Sequence, residues 1–511
     1  LDQAVDTAVA ARQGGRKALR IGIVGAGFGG IGLAILLKQA GFSAITLLEK
    51  GPAVGGTWRE NTYPGAACDV PSHLYSFSFA PNPEWSQRYS GQAEILAYIQ
   101  RTADAHGITP LVRFGSNVTR AVYDAASRVW QVTTAAGDEF TFDIFVPAVG
   151  QLSRPSIPDF PGRADFAGAS FHSAQWRHDI DLRGKRVAVV GCAASAVQFI
   201  PEVAKLAGHV DVFQRTPNWL VPRNNGAYSA RQKRIFARLP AARQAVRQSI
   251  YFGAEWLFGA FRTGTWRNTL LRKTALKHLA AQVADPALRG KLTPAYEIGC
   301  KRVLFSDDYY PVFAQPHVRL VTHGIDRIES AGIRTRDGTL HEADVVIYAT
   351  GFDVANCLRP VTILGRDGRD LQTVWRDGPE AYRGVAVAGF PNMFIMYGPN
   401  TNLGHNSIIV MLEAQARYIV QCLAQLADRR LASIEVSDAA SRAYNVTVQR
   451  RLAATVWSTG CGNWYVGPGG KITANWYGST LEYGRAMRRV RFEDFLLQEG
   501  ETSFLVNTEV G

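Results

Sequence analysis

A short apolar run, Arg20 to Val24, leads into Gly25-Ala26-Gly27-Phe28-Gly29-Gly30, and a helical pattern through Ile31, Leu33, Ala34, Leu36 and Leu37 follows. Ile45 to Leu48 is the next strand-like run, and Glu49 stands at its end. A G-x-G-x-x-G turn between strand and helix suits a dinucleotide. Gly25 permits the tight turn, Gly27 lets backbone approach a pyrophosphate, Gly30 allows close helix packing, and Glu49 can accept hydrogen bonds from ribose hydroxyls. Gly25, Gly27, Phe28, Gly30, Glu49 and Lys50 are therefore the candidate contacts of a first dinucleotide.

The pattern recurs with strand Arg186 to Val190, the turn Gly191-Cys192-Ala193-Ala194-Ser195-Ala196, a helix through Val197, Phe199, Ile200 and Val203, and strand Val210 to Phe213. Here Ala193 occupies the position where backbone meets phosphate, so the pyrophosphate must sit slightly farther out. The second strand ends in Gln214-Arg215-Thr216, with no acid. A guanidinium there holds a 2'-phosphate that a carboxylate would repel, which favours NADPH over NADH. Gly191, Ser195, Ala196, Arg215 and Thr216 are the candidate contacts of this second nucleotide. Two dinucleotides on one chain imply electrons passing from nicotinamide to flavin. Their acceptor is either a redox-active disulfide or O2 with an organic substrate, and the lack of a C-x-x-C pair argues against the disulfide.

These sites must be carried by more than one domain, because single cores stop growing near roughly 250 to 300 residues and the chain has 511. The expected class is α/β, with two doubly wound, Rossmann-like dinucleotide-binding domains and an inserted helical subdomain. Pro155, Pro158 and Pro161 disfavour regular structure and mark a linker. The FAD-binding domain is expected over 1–153 and 383–511, and the NADPH-binding domain over 154–382. A helical insertion is expected at 225–295, from the continuous helical pattern between Ser229 and Lys291. Met393 to Tyr397 reads as a further strand of the first domain.

Composition is ordinary for a globular chain, at 47% hydrophobic and 19% charged residues. The net charge of +13 comes from Lys and Arg spread along the chain, a solvated basic surface that attracts phosphate-rich cofactors and not a nucleic-acid or membrane patch. The first twenty residues lack a secretory pattern, and no apolar stretch reaches the length of a spanning helix. Cys68, Cys192, Cys300, Cys357, Cys422 and Cys461 show no metal-ligand spacing, so no metal is expected and a reducing, cytoplasmic setting fits them best. The expected species is a monomer or weak homo-oligomer.

The segment from Phe166 through Gly168 and His172 to Trp176 resembles the F-x-G-x-x-x-H-x-x-x-W fingerprint of type I Baeyer-Villiger monooxygenases, class B flavoproteins, and Arg177 stands where that family usually has Pro or Asp. Gly56-Thr57-Trp58, Tyr63-Pro64-Gly65 and Asp69 are similar to the family's G-x-W-x-x-x-x-[YF]-P-G-x-x-x-D string. Ala349-Thr350-Gly351 looks like the crossing between domains shared by the wider flavin-monooxygenase group, and Gly398 to His405, with Asn400, resembles a returning flavin-contact loop.

The resemblance implies FAD and NADPH as cofactors and assigns roles by motif. Arg302 falls on the active-site arginine, which stabilises an anionic flavin peroxide and the adduct after it. Asp69 falls on the aspartate that positions that arginine, and Lys301 on the lysine that reaches the 2'-phosphate. Gly56, Thr57, Trp58 and Tyr63 join the flavin contacts. His172 reads as a structural coupling of linker to nucleotide domains and not as a base. The implied reaction starts with reduction of FAD by NADPH and addition of O2 at flavin C4a, and the peroxide then attacks a ketone to give an ester or lactone. Thioether sulfoxidation is a side activity. A nitrogen- or sulfur-oxygenating flavin monooxygenase and a non-oxygenating flavin redox sensor are the alternatives. Trp457, Trp464, Tyr465, Trp476 and Tyr477 either line the substrate pocket or pack the core.

Overall fold

The computed structural model describes residues 15–500 apart from residue 355, so readings on residues 1–14 and 501–511 lie outside the described residues. The first βαβ unit consists of β1 (Ile21–Val24), α1 (Phe28–Gln39) and β2 (Ile45–Glu49). β3 (Val112–Phe114) and β4 (Ile144–Pro147) complete a parallel sheet in the order β3-β2-β1-β4. Every residue of β1 and β4 is buried, as parallel strands covered on both faces require, and this explains their unbroken apolar runs.

The second sheet is built from β5 (Ala169–His172), β6 (Arg186–Val190), β7 (His209–Phe213), β8 (Val318–Val321) and β9 (Val345–Tyr348), in the order β8-β7-β6-β9-β5. α2 (Ala194–Ala204) connects β6 to β7 and covers one face with Val197, Phe199, Ile200 and Val203. Between β7 and β8 lie α3 (Ala230–Arg238), α4 (Pro240–Leu257), α5 (Trp266–Gln282) and α6 (Pro286–Leu292). The single helical run read from sequence is thus four helices. Pro240 and Pro286 open α4 and α6, because a missing N–H costs nothing at the first turn, and Thr265 caps α5 through Asn268 N.

The two crossings between the sheets run side by side. Ser156 N donates to Gly351 O at 2.9 Å and Asp353 N to Arg154 O at 3.0 Å, and Thr350 Oγ1 donates to Ser156 O. Met393 to Met396 does return beside β4, with Phe394 N donating to Phe145 O at 3.1 Å and Met396 N to Pro147 O at 2.9 Å. It forms an isolated bridge instead of the expected strand. Pro147 has no N–H to extend the ladder, and Tyr397 turns into the left-handed region at φ 60°. α7 (Ile408–Asp428) then packs on α1.

One face of α4 docks on the first sheet's side of the molecule through two charges eight residues apart, which places them on the same face of a helix. The Arg247 guanidinium is buried and donates to His73 O at 2.7 Å and Ser76 O at 3.1 Å. Glu255 accepts from Asn406 Nδ2 at 2.7 Å and from the Thr480 and Leu481 amides, both at 3.1 Å, with His405 Nε2 at 3.4 Å. Burial alone would raise the Glu255 carboxyl, but the contacts with His405, Thr480, Leu481 and Asn406 outweigh it and hold the pKa at about 2. A depressed carboxyl contributes stability that is present above its unfolded pKa and lost as pH falls through the folded value. The contribution should therefore disappear between about pH 4.3 and pH 2. Acid denaturation followed by tryptophan fluorescence should show Glu255→Gln less stable than wild type at neutral pH, with the gap closing across that window.

Candidate active site

The first dinucleotide turn is shaped by contacts that admit only glycine. Gly25 has φ +107°, and a Cβ there would stand 2.6 Å from Ala148 O. At Gly30 a Cβ would stand 2.0 Å from Gly25 O, so α1 packs onto the turn only without a side chain. A Cβ on Gly56 would reach within 3.0 Å of Gly27 Cα, so the two glycines face each other across a narrow cradle. Gly27 caps α1 with no side-chain hydrogen bond, which leaves the helix's first amides and its positive dipole end available to an anion. These features fit a pyrophosphate.

The carboxylate of Glu49 clamps the same turn. It accepts from Ala26 N at 2.9 Å, Gly51 N at 2.8 Å and Arg59 Nη1 at 2.9 Å. Lys50 is half-exposed and pairs with Glu60 at 3.1 Å. The Phe28 ring packs edge-on against Tyr75 and Phe77, so this residue offers its backbone N–H, not its ring, at the turn. Thr57 opens a single helical turn, and Trp58 beside it donates from Nε1 to Tyr75 OH at 3.1 Å.

In the second turn Gly191 has φ +106°, with a virtual Cβ 2.5 Å from Ala349 O. Ala193 caps α2 without a side-chain bond, Ala196 is fully buried against the sheet, and Ser195 lies half-exposed on the first turn of α2. Arg215 is exposed at the end of β7, followed by half-buried Thr216. Lys301 comes to the same place from far along the chain, with Nζ 5.1 Å from the centroid of the Tyr296 ring. Burial and then the charge of Arg215 push the Lys301 pKa down, the sign of two cations converging on one spot. That donor set fits a dianionic phosphate.

The two halves meet at Asp69 and Arg302, which are 233 positions apart. Arg302 Nη2 donates to Asp69 Oδ1 at 2.7 Å and Nε to Oδ2 at 3.0 Å, a two-point fork. Asp69's charge raises the guanidinium pKa above its already high value against opposing burial, so Arg302 is a permanent cation. Its side chain keeps 37% exposure. The loop before Asp69 is anchored to α2. Tyr63 OH donates to Gln198 Oε1 at 3.0 Å, Gln198 Nε2 donates to Ala67 O at 2.9 Å, and a Cβ on Gly65 would lie 2.6 Å from Gln198 O. The string from Gly56 to Asp69 thus ties the first glycine turn to α2.

His172 ends β5 beside Tyr348 of β9. Its Nδ1 accepts from Ala174 N at 3.1 Å, and burial lowers its pKa. Phe352, from the second crossing, packs edge-on against its ring. Gly168 is obligatory, since a Cβ would stand 2.3 Å from Asp344 O and 2.8 Å from the Phe166 ring. Trp176 packs on Phe171 and Phe199. Asn400 adopts φ 56° and donates to Ile472 O at 2.8 Å and Asn475 O at 3.1 Å, while its buried Oδ1 has no partner among the described residues.

Of the C-terminal aromatics, Trp457 and Trp476 are 1% exposed core residues and Trp464 is 42% exposed. Tyr465 is buried near Arg302, and burial pushes its pKa up to about 12. Tyr397 also stands near Arg302, and the sequence carries no signal for it beyond the loop that follows. Cys300 and Cys461 are joined by a disulfide, a pairing the cysteine spacing does not suggest. Half-cystines 161 residues apart leave no local pattern. Among the described residues no helix is long and apolar enough to cross a membrane and no cluster of His, Cys, Asp or Glu could hold a metal.

A family profile described as pyridine nucleotide-disulphide oxidoreductase matches residues 22–244, which span both glycine turns. A Baeyer-Villiger monooxygenase of Streptomyces coelicolor is 43% identical, with 93% of this chain and 92% of the relative covered. A protein of the same name from Pseudomonas aeruginosa is 41% identical, with 92% and 89% covered. Among solved structures, cyclohexanone monooxygenase from Rhodococcus sp. Phi1 bound to NADP+ superposes with a TM-score of 0.85 at 30% identity, covering 94% of this chain and 99% of that one. The complex of OTEMO with FAD and NADP gives 0.85 at 29% identity, with the same coverage.

Proposed function

Since the chain belongs to the Baeyer-Villiger monooxygenase family of flavoproteins, we propose that it oxidises ketones to esters or lactones with one atom of O2, at the expense of NADPH. FAD and NADP are its cofactors, FAD on the Gly25 turn and NADP on the Gly191 turn. When bound, the flavin supplies the chemistry the side chains lack, namely acceptance of a hydride from NADPH and activation of O2. Atoms balance as ketone, O2, NADPH and a proton giving ester, water and NADP+.

The observation that carries this reading is the forked Arg302–Asp69 pair at the junction of the nucleotide sites. Insertion next to a carbonyl develops negative charge on oxygen, and a fixed cation with an open edge stabilises that charge without reorganisation. Asp69 takes Nε and Nη2 of the guanidinium and leaves the Nη1 donors for the substrate. Lys301 and Arg215 hold the 2'-phosphate, and the buried, neutral His172 keeps the crossings in place without taking up protons.

The reading is tested by aerobic turnover of FAD-loaded protein with NADPH against linear and cyclic ketones and a thioether. Esters or lactones in proportion to NADPH consumed support it. Hydrogen peroxide as the sole product from every substrate would refute it, and sulfoxide without ester would move the chain to the sulfur-oxygenating branch.

A further inference from the structure

The disulfide lies where it governs the site. Cys300 is fully buried, two positions before Arg302. Cys461 is half-exposed and opens the segment that brings Tyr465 to Arg302. Asn463 Nδ2 lies 3.5 Å from Cys300 Sγ and 3.3 Å from Cys461 Sγ, and Asn463 Oδ1 accepts from Tyr465 N at 2.9 Å. Tyr465 O in turn accepts from Thr473 N at 2.9 Å, and Thr473 O accepts from Asn400 N at 2.8 Å. A continuous path thus runs from the arginine loop through the disulfide to the loop of Gly398 to His405.

The segment around Cys461 is rich in glycine. Gly460, Gly462, Gly469 and Gly470 all have positive φ, and a Cβ at any of them would meet nothing within 4 Å. These glycines serve conformation and not packing, and such a chain has much entropy to regain when released. A covalent tether to a buried partner restricts that freedom.

We propose that Cys300–Cys461 is a redox-sensitive staple that positions Tyr465 and its loop against Arg302, so that the thiol state of this pair sets how well NADPH oxidation is coupled to oxygenation. The effect on coupling rests on the Baeyer-Villiger reading, whereas the bond and the ordering of the loop do not. The switch requires an external dithiol. Its thiolate attacks Cys461 Sγ, the sulfur of the less buried partner, and the S–S bond breaks with Cys300 leaving as thiolate. The second thiol of the reductant resolves the mixed disulfide. The protein gains two electrons and two protons as two thiols, and the dithiol becomes a disulfide.

The test begins with FAD-loaded protein alkylated without reduction and mapped by mass spectrometry. Cys300 and Cys461 should appear in one linked peptide, while Cys68, Cys192, Cys357 and Cys422 carry alkyl groups after unfolding. Dithiothreitol should then accelerate amide exchange over residues 458–471 by about tenfold or more and raise peroxide formed per NADPH. Untreated Cys461→Ser should match the reduced wild type and show no response to dithiothreitol. Absence of the linked peptide would overturn the proposal, as would unchanged exchange on reduction or an equal dithiothreitol response in Cys461→Ser. If no ketone is oxygenated, the mapping and exchange results still decide the fate of the staple, and only the functional reading falls.

Discussion

Arg302→Ala should lower the rate of ester formation by about 10²- to 10³-fold, the usual loss when a preorganised donor to a developing oxyanion is removed. FAD content and reduction by NADPH should stay closer to wild type than ester formation, because on the proposed assignment most of the cofactor contacts come from the two glycine turns and from Arg215 and Lys301. NADPH consumed without ester should then appear as hydrogen peroxide. Arg302→Lys should rescue little, since an ammonium cannot match the two-point fork with Asp69 and still present planar donors to the cleft. Asp69→Ala should be worse for folding than Arg302→Ala, because it strands a guanidinium that no other carboxylate holds among the described residues. Paired measurements of ester and peroxide per NADPH check the first claim, and thermal melts check the last.

The second large effect concerns the nicotinamide cofactor. Removal of Arg215 and Lys301 together should reduce the preference for NADPH over NADH by about 10²-fold, taking about tenfold for each charge-assisted hydrogen bond to the phosphate. KM for NADPH should carry the change, while turnover at saturation remains. The two side chains also differ in their pH response. Burial and the neighbouring Arg215 depress the Lys301 pKa, so its charge is present below that lowered value and is lost as pH rises through it, earlier than for an ordinary lysine. NADPH affinity should therefore weaken toward alkaline pH, and Lys301→Arg should flatten the profile because the guanidinium does not titrate there.

Sequence and structure agree where the physics is local. Both glycine turns are legible because a tight turn, a close helix and a nearby phosphate each forbid a side chain at a fixed spacing, and the buried parallel strands announce themselves as unbroken apolar runs. The string from Gly56 to Asp69 could be matched to a family, but its physical reason was hidden. Only in three dimensions does Gly65 abut Gln198 and Asp69 meet Arg302, because contacts across 131 or more positions leave no periodicity. The breaks and caps of the helical segment were partly written in Pro240 and Pro286, yet amphipathic patterning ran over them. The role of Glu255 leaves no trace in the sequence, because its partners Asn406 and Thr480 lie 151 and 225 positions away. The Cys300–Cys461 bond was invisible for the same reason.

Entry of one atom of O2 into the substrate beside its carbonyl is the step on which the proposed function rests. It is tested most directly by turning over the FAD-loaded enzyme with NADPH and a ketone it accepts under 18O2, in unlabelled water, and locating the label in the product by mass spectrometry. One 18O should appear in the ester's bridging position, the carbonyl should be unlabelled, and Arg302→Ala should lose that product. An unlabelled product, or label found only in hydrogen peroxide while the ketone is recovered unchanged, would contradict it.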